Sequence, residues 1–326
     1  MGLRFRQSPE FDLISRYFSR HQSNAVELSV GDDAAVFSLT ENHCLVFSID
    51  TQVEGRHFPV GFPADKIATR ALGSAMSDLA AMGARPHHFT LALTLPEFEE
   101  QWLHAFSRGL YELADQFDFK LVGGDTTKGP LSISIQVHGL VERDRYLQRS
   151  TASSADGIYV SGSLGDAAGG LKLALSNRQD ALSDDEHRLF NAYACPRPEV
   201  ELGLALVGNA SAALDISDGL LADLEQLAVA SDLACHLDLD TIPLSGALRR
   251  VEGDVEALNL ALAGGDDYRL LATMPANKER LAKELGLFKI GYMLDCPIEH
   301  TGERVRLYKN GVYHRAPNVK GFDHFG

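Results

Sequence analysis

The sequence predicts an α+β protein of two domains, each a mixed or antiparallel sheet with helices packed on it. Three observations carry that reading. A chain of 326 residues exceeds what one hydrophobic core usually holds. Through residue 137 the apolar pattern runs strand, helix, strand, helix, strand, the order of sheet and helix layers. A polar stretch at 142–156 then separates this from a second series of strands and helices. The expected division is 1–148 and 149–326.

The elements follow in order. Residues 9–20 read as a short helix with Phe11, Ile14 and Phe18 on one side. Residues 45–49 read as a buried strand that delivers Asp50 near a sheet end. Residues 64–82 read as a helix, because Ile67, Ala71, Ala75 and Leu79 keep the i, i+4 rhythm and Gly83 can stop it. Asp78 falls near its end, on the side of Ser74. Residues 88–95 form a strand that Pro96 closes. Residues 97–117 form an amphipathic helix with Trp102, Phe106, Leu110, Leu113 and Phe117 on its apolar face. Residues 131–137 alternate as a half-buried strand does.

Beyond the boundary come a strand at 157–161, a Gly-rich turn and a helix at 167–176. A polar insertion is expected near 177–187, then a helix at 198–209, a loop at 213–219 and a helix at 219–231. Leu220, Leu224, Leu227 and Ala228 stripe that last helix. Strands are expected at 234–239 and 268–274. Asn310-Gly311 predicts a two-residue hairpin turn.

Composition narrows the function. The formal charge is −15, and no cluster of Lys and Arg stands out, which argues against nucleic acid as partner. No apolar run approaches the roughly 18 residues of a membrane span. Four cysteines without a Cys-x-x-Cys pair read as reduced thiols, so a cytoplasmic protein is expected.

The chemistry lies in six short strings that set aspartate beside glycine or a small residue. They are Gly31-Asp32-Asp33-Ala34, Ser48-Ile49-Asp50-Thr51, Met76-Ser77-Asp78-Leu79, Gly123-Gly124-Asp125-Thr126, Asp215-Ile216-Ser217-Asp218-Gly219 and Gly264-Gly265-Asp266-Asp267. Carboxylates gathered in one place repel unless cations neutralise them. Mg²⁺ takes oxygen ligands and is typically shared between a few carboxylates and substrate phosphates. The strings together therefore predict a Mg²⁺–nucleotide enzyme.

Each string alone has a plainer explanation. Gly-Asp-Asp is a common surface turn. A helix-end aspartate such as Asp78 is usually solvated, although apolar neighbours here ask for a partner. Val122-Gly-Gly-Asp-Thr-Thr reads as a strand running into a turn that faces phosphate. Asp215 and Asp218 flank a turn that opens a helix, which Ser217 or Asp218 could cap. The turn Gly162-Ser-Leu-Gly165 reads mainly as tight packing, and no Walker or protein-kinase string occurs. His57 lies seven residues after Asp50, and Arg149 is a candidate phosphate ligand. No nucleophile poised by a base is evident, which suits direct phosphoryl transfer.

In this order the strings resemble the thiamine-monophosphate kinase family, within the ATP-binding superfamily of aminoimidazole ribonucleotide synthetase. The resemblance includes Ser-Asp-Leu-Ala-Ala-Met-Gly-Ala, Gly-Gly-Asp-Thr-Thr-Lys-Gly-Pro-Leu, Asp-Ile-Ser-Asp-Gly-Leu and the closing Lys-Gly-Phe-Asp-His-Phe. It implies two α/β domains of the synthetase type, the first for ATP, Mg²⁺ and dimerisation, the second completing the site. It implies ATP and thiamine monophosphate as substrates, several Mg²⁺ ions and a homodimer.

Carried over by position, Asp33, Ser48, Asp50, Asp78, Asp125, Asp215 and Asp218 become metal ligands. Gly124, Arg149 and Ser217 become nucleotide contacts, and His57 and Asp266 substrate contacts. Two positions depart from the pattern. Asp266 replaces the usual Glu, and Val319 replaces an aromatic residue that can stack on thiamine, for which Phe322 is a substitute. Two other readings stand beside this one. One is a sister ATP-dependent synthetase, though the reactive N-terminal cysteine of selenophosphate synthetase is missing. The other is a non-catalytic Mg-ATP-binding protein.

Overall fold

The computed structural model describes residues 14–19, 35, 37, 39–176, 181–296 and 304–314. Asp33, Val319, Phe322 and the closing Lys-Gly-Phe-Asp-His-Phe string lie outside the described residues, as does half of the expected helix at 9–20, whose described part is a π-helical turn at Ile14–Phe18. The chain separates into two compact units. The first comprises residues 1–75 and 86–140, the second 76–85 and 141–326.

The first unit holds a four-stranded sheet of order β1-β4-β2-β3. Its strands are β1 (His43–Val53), β2 (Arg85–Leu95), β3 (Lys120–Lys128) and β4 (Ser132–Glu142). β2 and β3 run parallel, with an irregularity between Phe89 and Thr90. β4 alternates as expected: Ile133, Ile135 and Val137 are buried, and Ser132, Ser134 and Gln136 are partly exposed.

Two helices carry apolar faces in this unit. The greater part of α1 (Ala64–Ala81) buries Ile67, Ala71 and Ala75. α2 (Glu100–Ala114) buries Leu103, Phe106, Leu110 and Leu113, and Trp102 stacks on Phe106 at 4.9 Å. Gly109 lets the two helices cross closely, since a Cβ there would lie 2.2 Å from the Asp65 carbonyl oxygen.

Two expectations change here. β1 is not a buried strand: Phe47 and Ile49 are 63% and 62% exposed. The strand alternates, so one side of its apolar run faces out. The Gly123-Gly124-Asp125-Thr126 string is no turn either. It lies inside β3, with Asp125 beside Ala92 of β2.

The second unit is built on a mixed seven-stranded sheet of order β11-β10-β7-β9-β5-β8-β6. The strands are β5 (Gly157–Val160), β6 (Ala212–Asp215), β7 (Leu233–Asp238), β8 (Leu270–Met274), β9 (Phe288–Asp295), β10 (Val305–Lys309) and β11 (Val312–His314). Among the described residues of this sheet, β7 and β10 pair in parallel, whereas β10–β11, β5–β8, β5–β9, β6–β8 and β7–β9 pair antiparallel. Lys309 pairs with Val312 across Asn310 and Gly311, both at positive φ, so the predicted hairpin turn forms.

The helices are α3 (Asp166–Ala174), α4 (Asp184–Ala194), α5 (Val200–Leu206), α6 (Leu220–Ala230), α7 (Gly246–Glu252), α8 (Asp254–Ala263) and α9 (Glu279–Glu284). α6 enters the core through Leu220, Leu224, Leu227 and Ala228, which meet Leu214, Ile216, Leu237 and Leu271. The expected polar insertion is partly helix. Ser183 and Glu186 form a capping box at the start of α4, whose acidic first turn suits the positive helix end.

The last residues of α1 belong to this second unit. Gly83, at φ +64, ends the helix as expected, and Ala84 N donates to Leu79 O at 2.8 Å. Gly203 of α5 packs against the Ala80 carbonyl, where a Cβ would come within 2.0 Å. That contact seats Ser77 and Asp78 beside the second sheet.

Candidate active site

β6 is fully buried and ends at Asp215, which is 4% exposed. Asp78, at the end of α1, and Asp223, on α6, both raise its pKa by their charge. With burial as the largest cause, the Asp215 carboxyl rises to about 7, partly offset by the Ser77 hydroxyl. Three acidic groups thus meet around one buried strand end. Their mutual repulsion is what a divalent cation relieves.

The loop after β6 is held by its backbone. Asp223 Oδ2 accepts the N–H groups of both Ser217 and Asp218 at 3.0 Å. Burial lifts the Asp223 carboxyl to about 6, while these N–H groups and the Arg149 guanidinium pull it down. This corrects the capping expectation. Gly219, at φ +111, is the N-cap of α6, and no side chain caps it. The Ser217 N–H is thereby engaged within the loop.

Arg149 lies exposed along α6, where its Nη1 donates to Gln226 Oε1 at 3.0 Å. Asp266 stands on the other side of the loop. Its N–H donates to Ser217 O at 2.8 Å, and Tyr268 Oη donates to its Oδ1 at 3.2 Å. The second unit thus gathers Asp78, Asp215, Asp218, Ser217, Arg149 and Asp266.

Other candidates lie in the first unit. Ser48 and Asp50 share the inner face of β1 with Gln52, whose Nε2 donates to Ser74 Oγ of α1 at 2.9 Å. His57 turns back on the strand end. Its Nδ1 accepts the Val53 N–H at 2.9 Å, which puts the proton of the neutral ring on Nε2. Gly124 and Asp125 are on β3, the opposite outer strand from β1. Three strand spacings, about 14 Å in all, lie between the two strands. Within this sheet Asp50 and Asp125 are therefore not neighbours.

Ser77 and Asp223 were not among the sequence candidates. The signal for Asp223 was available: it falls three residues after Leu220 and four before Leu227, on the apolar stripe of α6.

Among the described residues, no group of three or more His, Cys, Asp or Glu side chains is arranged to hold a metal ion by itself. The donor set still fits Mg²⁺. It consists of hard oxygens, burial and the neighbouring acidic charges hold the Asp215 carboxyl above the usual carboxylate range, and Mg²⁺ often takes only one or two protein carboxylates plus substrate phosphates.

Residues 31–141 match the family described as AIR synthase related protein, N-terminal domain. The chain is 42% identical over 322 residues to thiamine-monophosphate kinase of Salmonella typhimurium, covering 97% of this chain and 98% of that one. The chain belongs to the thiamine-monophosphate kinase family. The Bacillus subtilis member is 31% identical over 97% of this chain and 99% of its own.

Solved structures agree. The Stenotrophomonas maltophilia thiamine-monophosphate kinase superposes with a TM-score of 0.80 at 43% identity, over 92% of this chain and 95% of that one. The complex of AaThiL with AMPPCP and TMP gives 0.78 at 29% identity, over 91% and 92%. As an enzyme of this family the chain has the expected α+β architecture. No helix among the described residues is long and apolar enough to cross a membrane.

Proposed function

We propose that this enzyme transfers the γ-phosphoryl group of ATP to thiamine monophosphate, giving thiamine diphosphate and ADP. The buried Asp215, set between Asp78 and Asp223 at the end of β6, is the observation that carries the reading. The AaThiL complex, which holds an ATP analogue and TMP, supports it by likeness.

In this mechanism the substrate phosphate oxygen attacks the γ-phosphorus in line, and the bond from γ-phosphorus to the bridging oxygen of ADP breaks. No phosphoenzyme forms, since no nucleophile poised by a base stands among the site residues. The chain's task is positioning and charge neutralisation. Asp33, Ser48, Asp50, Asp78, Asp125, Asp215 and Asp218 are the proposed holders of Mg²⁺. When bound, Mg²⁺ would neutralise charge on the transferring phosphates.

Gly124, Arg149 and Ser217 are assigned to the nucleotide. His57, Asp266 and Phe322 are assigned to thiamine monophosphate. Asp215 would hold a cation only once its carboxyl has lost its proton, so cation binding is tied to deprotonation of that group. We assign ATP and Mg²⁺ binding and dimerisation to 1–148, and completion of the site to 149–326.

The proposal includes a homodimer and a cytoplasmic location. Phe47, Ile49 and Val53 on the exposed face of β1 support the first, as they form an apolar strip that a partner subunit would cover. Four cysteines without disulfides suit the second. The test incubates purified protein with ATP, Mg²⁺ and thiamine monophosphate and looks for thiamine diphosphate by chromatography. Product that EDTA abolishes is expected. Absence of product while Mg-ATP still binds would overturn the assigned acceptor.

A further inference from the structure

Asp267 has no part in the assignments above, yet it is partly buried at the junction between the segment that carries Asp266 and the start of α3. Its Oδ2 accepts the Gly165 N–H at 2.7 Å and its Oδ1 the Ala167 N–H at 3.3 Å, at the start of α3. It belongs to the segment 264–268, whose other side is stitched to the loop after β6. Asp266 N donates to Ser217 O and Tyr268 N to Ile216 O, both at 2.8 Å, and Ile216 N donates to Arg269 O at 2.8 Å.

Packing closes both sides of this segment. A Cβ on Gly265 would lie 2.4 Å from Ser217 O, and one on Gly264 would lie 2.4 Å from Ala168 Cβ of α3. Asp266 and Tyr268 are held at φ +71 and +48, values that residues with side chains seldom adopt. Backbone strain of this kind persists only where the surroundings over-determine it. The Asp267 carboxylate is the tie on the α3 side. The charges around it are Asp166, which repels it, and Arg269, which offsets it. Arg269 is itself paired with Glu199 at 2.7 Å.

We infer that Asp267 is a positioning residue of the reaction proposed above: by anchoring 264–268 to the start of α3, it fixes the loop that presents Asp215, Ser217 and Asp218. It touches neither substrate in this assignment and acts through the backbone. The inference rests on the proposed nucleotide site, not on the identity of the phosphate acceptor.

The test measures Mg-AMPPCP binding by calorimetry for wild type, Asp267→Asn and the core variant Leu248→Ala, each well below its melting temperature. Asn keeps the size and one acceptor but turns an amide N–H₂ toward a backbone donor. The expected result is a dissociation constant raised about tenfold or more in Asp267→Asn, the size of effect typical of groups that orient ligands. KM for ATP should rise with it, and Leu248→Ala should bind as wild type does. If Asp267→Asn loses only melting temperature and binds as wild type, the inference is overturned.

A second measurement needs no variant and decides the matter if Asp267→Asn does not fold. In wild type, Mg-AMPPCP should slow amide exchange at Gly165 and Ala167 together with Asp266 and Tyr268. Unchanged exchange at Gly165 and Ala167 would overturn the inference. A wild type that binds Mg-AMPPCP but makes no thiamine diphosphate refutes the acceptor alone, and Asp267 is still decided by binding. A wild type that binds no Mg-AMPPCP overturns both.

Discussion

Asp215 shows how one residue is tuned by what surrounds it. Its folded pKa, about 7, lies above the ordinary 3.8, so the ligand-free folded state holds an extra proton between those values. The stability this group contributes is complete below pH 3.8 and lost as pH rises through 7. A cation must displace that proton. Mg-AMPPCP should therefore raise the melting temperature more at pH 8 than at pH 6, which differential scanning fluorimetry at both pH values checks.

Asp215→Asn should lower turnover by about 100-fold or more while leaving the fold intact, since it removes a ligand but also a buried charge. A chromatographic assay with a parallel melting curve separates the two effects, and full activity would remove Asp215 from the metal site. Asp223→Ala instead orphans two backbone donors. It should cost about 2–3 kcal/mol in urea unfolding. Asp215 and Asp218 were legible from sequence because they bracket a turn before an apolar helix. Asp223 could have been singled out by its place on the apolar stripe of that helix, but the backbone groups it holds are seen only in the structure.

At the scale of elements, β2 and β4 bring three histidines together. His88, 2% exposed, stacks on His138 at 4.4 Å, and its Nδ1 lies 2.7 Å from His87 Nδ1. Burial, with the charges of His138 and His87, lowers His88 to about 4. Its folded pKa is below the unfolded 6.5, so the unfolded state binds more protons between those values. Stability from this residue is intact above pH 6.5 and falls as pH drops toward 4, by on the order of 3 kcal/mol. An NMR titration should show the His88 ring neutral down to about pH 5. Protonation near 6.5 would contradict its burial.

The alternation of β4 and the apolar face of α2 were readable because a single periodicity dominates each. The start of α4 was not, since its acidic first turn looks like a polar loop until the Ser183 cap is in place. The glycines at 123–124 misled for a related reason. They suggested a turn, but Gly124 serves close strand pairing, with a Cβ position 1.9 Å from Leu91 O. Gly124→Ala should therefore destabilise the protein by about 2–3 kcal/mol in chemical unfolding.

At the scale of the whole molecule, the outward face of β1 bears on self-association. The proposed homodimer should sediment at twice 35.5 kDa. Ile49→Asp should shift it toward the monomer in analytical ultracentrifugation, because burying an unpaired charge is unfavourable. A monomeric wild type would refute the dimer.

The amino-acid sequence by itself determined the α+β class, the amphipathic helices and the family, because periodicity and short strings of aspartate and glycine are local properties. It also named most of the carboxylates around the end of β6. Only the tertiary structure decided which acids meet. Asp78 arrives beside Asp215 because the last turns of α1 pack on α5, and Asp50 and Asp125 fall on opposite outer strands of one sheet. Asp223 and Asp267 became visible through the backbone N–H groups they hold. The bonds of Asp267 reach residues 102 and 100 positions away and those of Asp223 only six and five, but neither set leaves a periodic trace, so the apolar pattern did not name the partners.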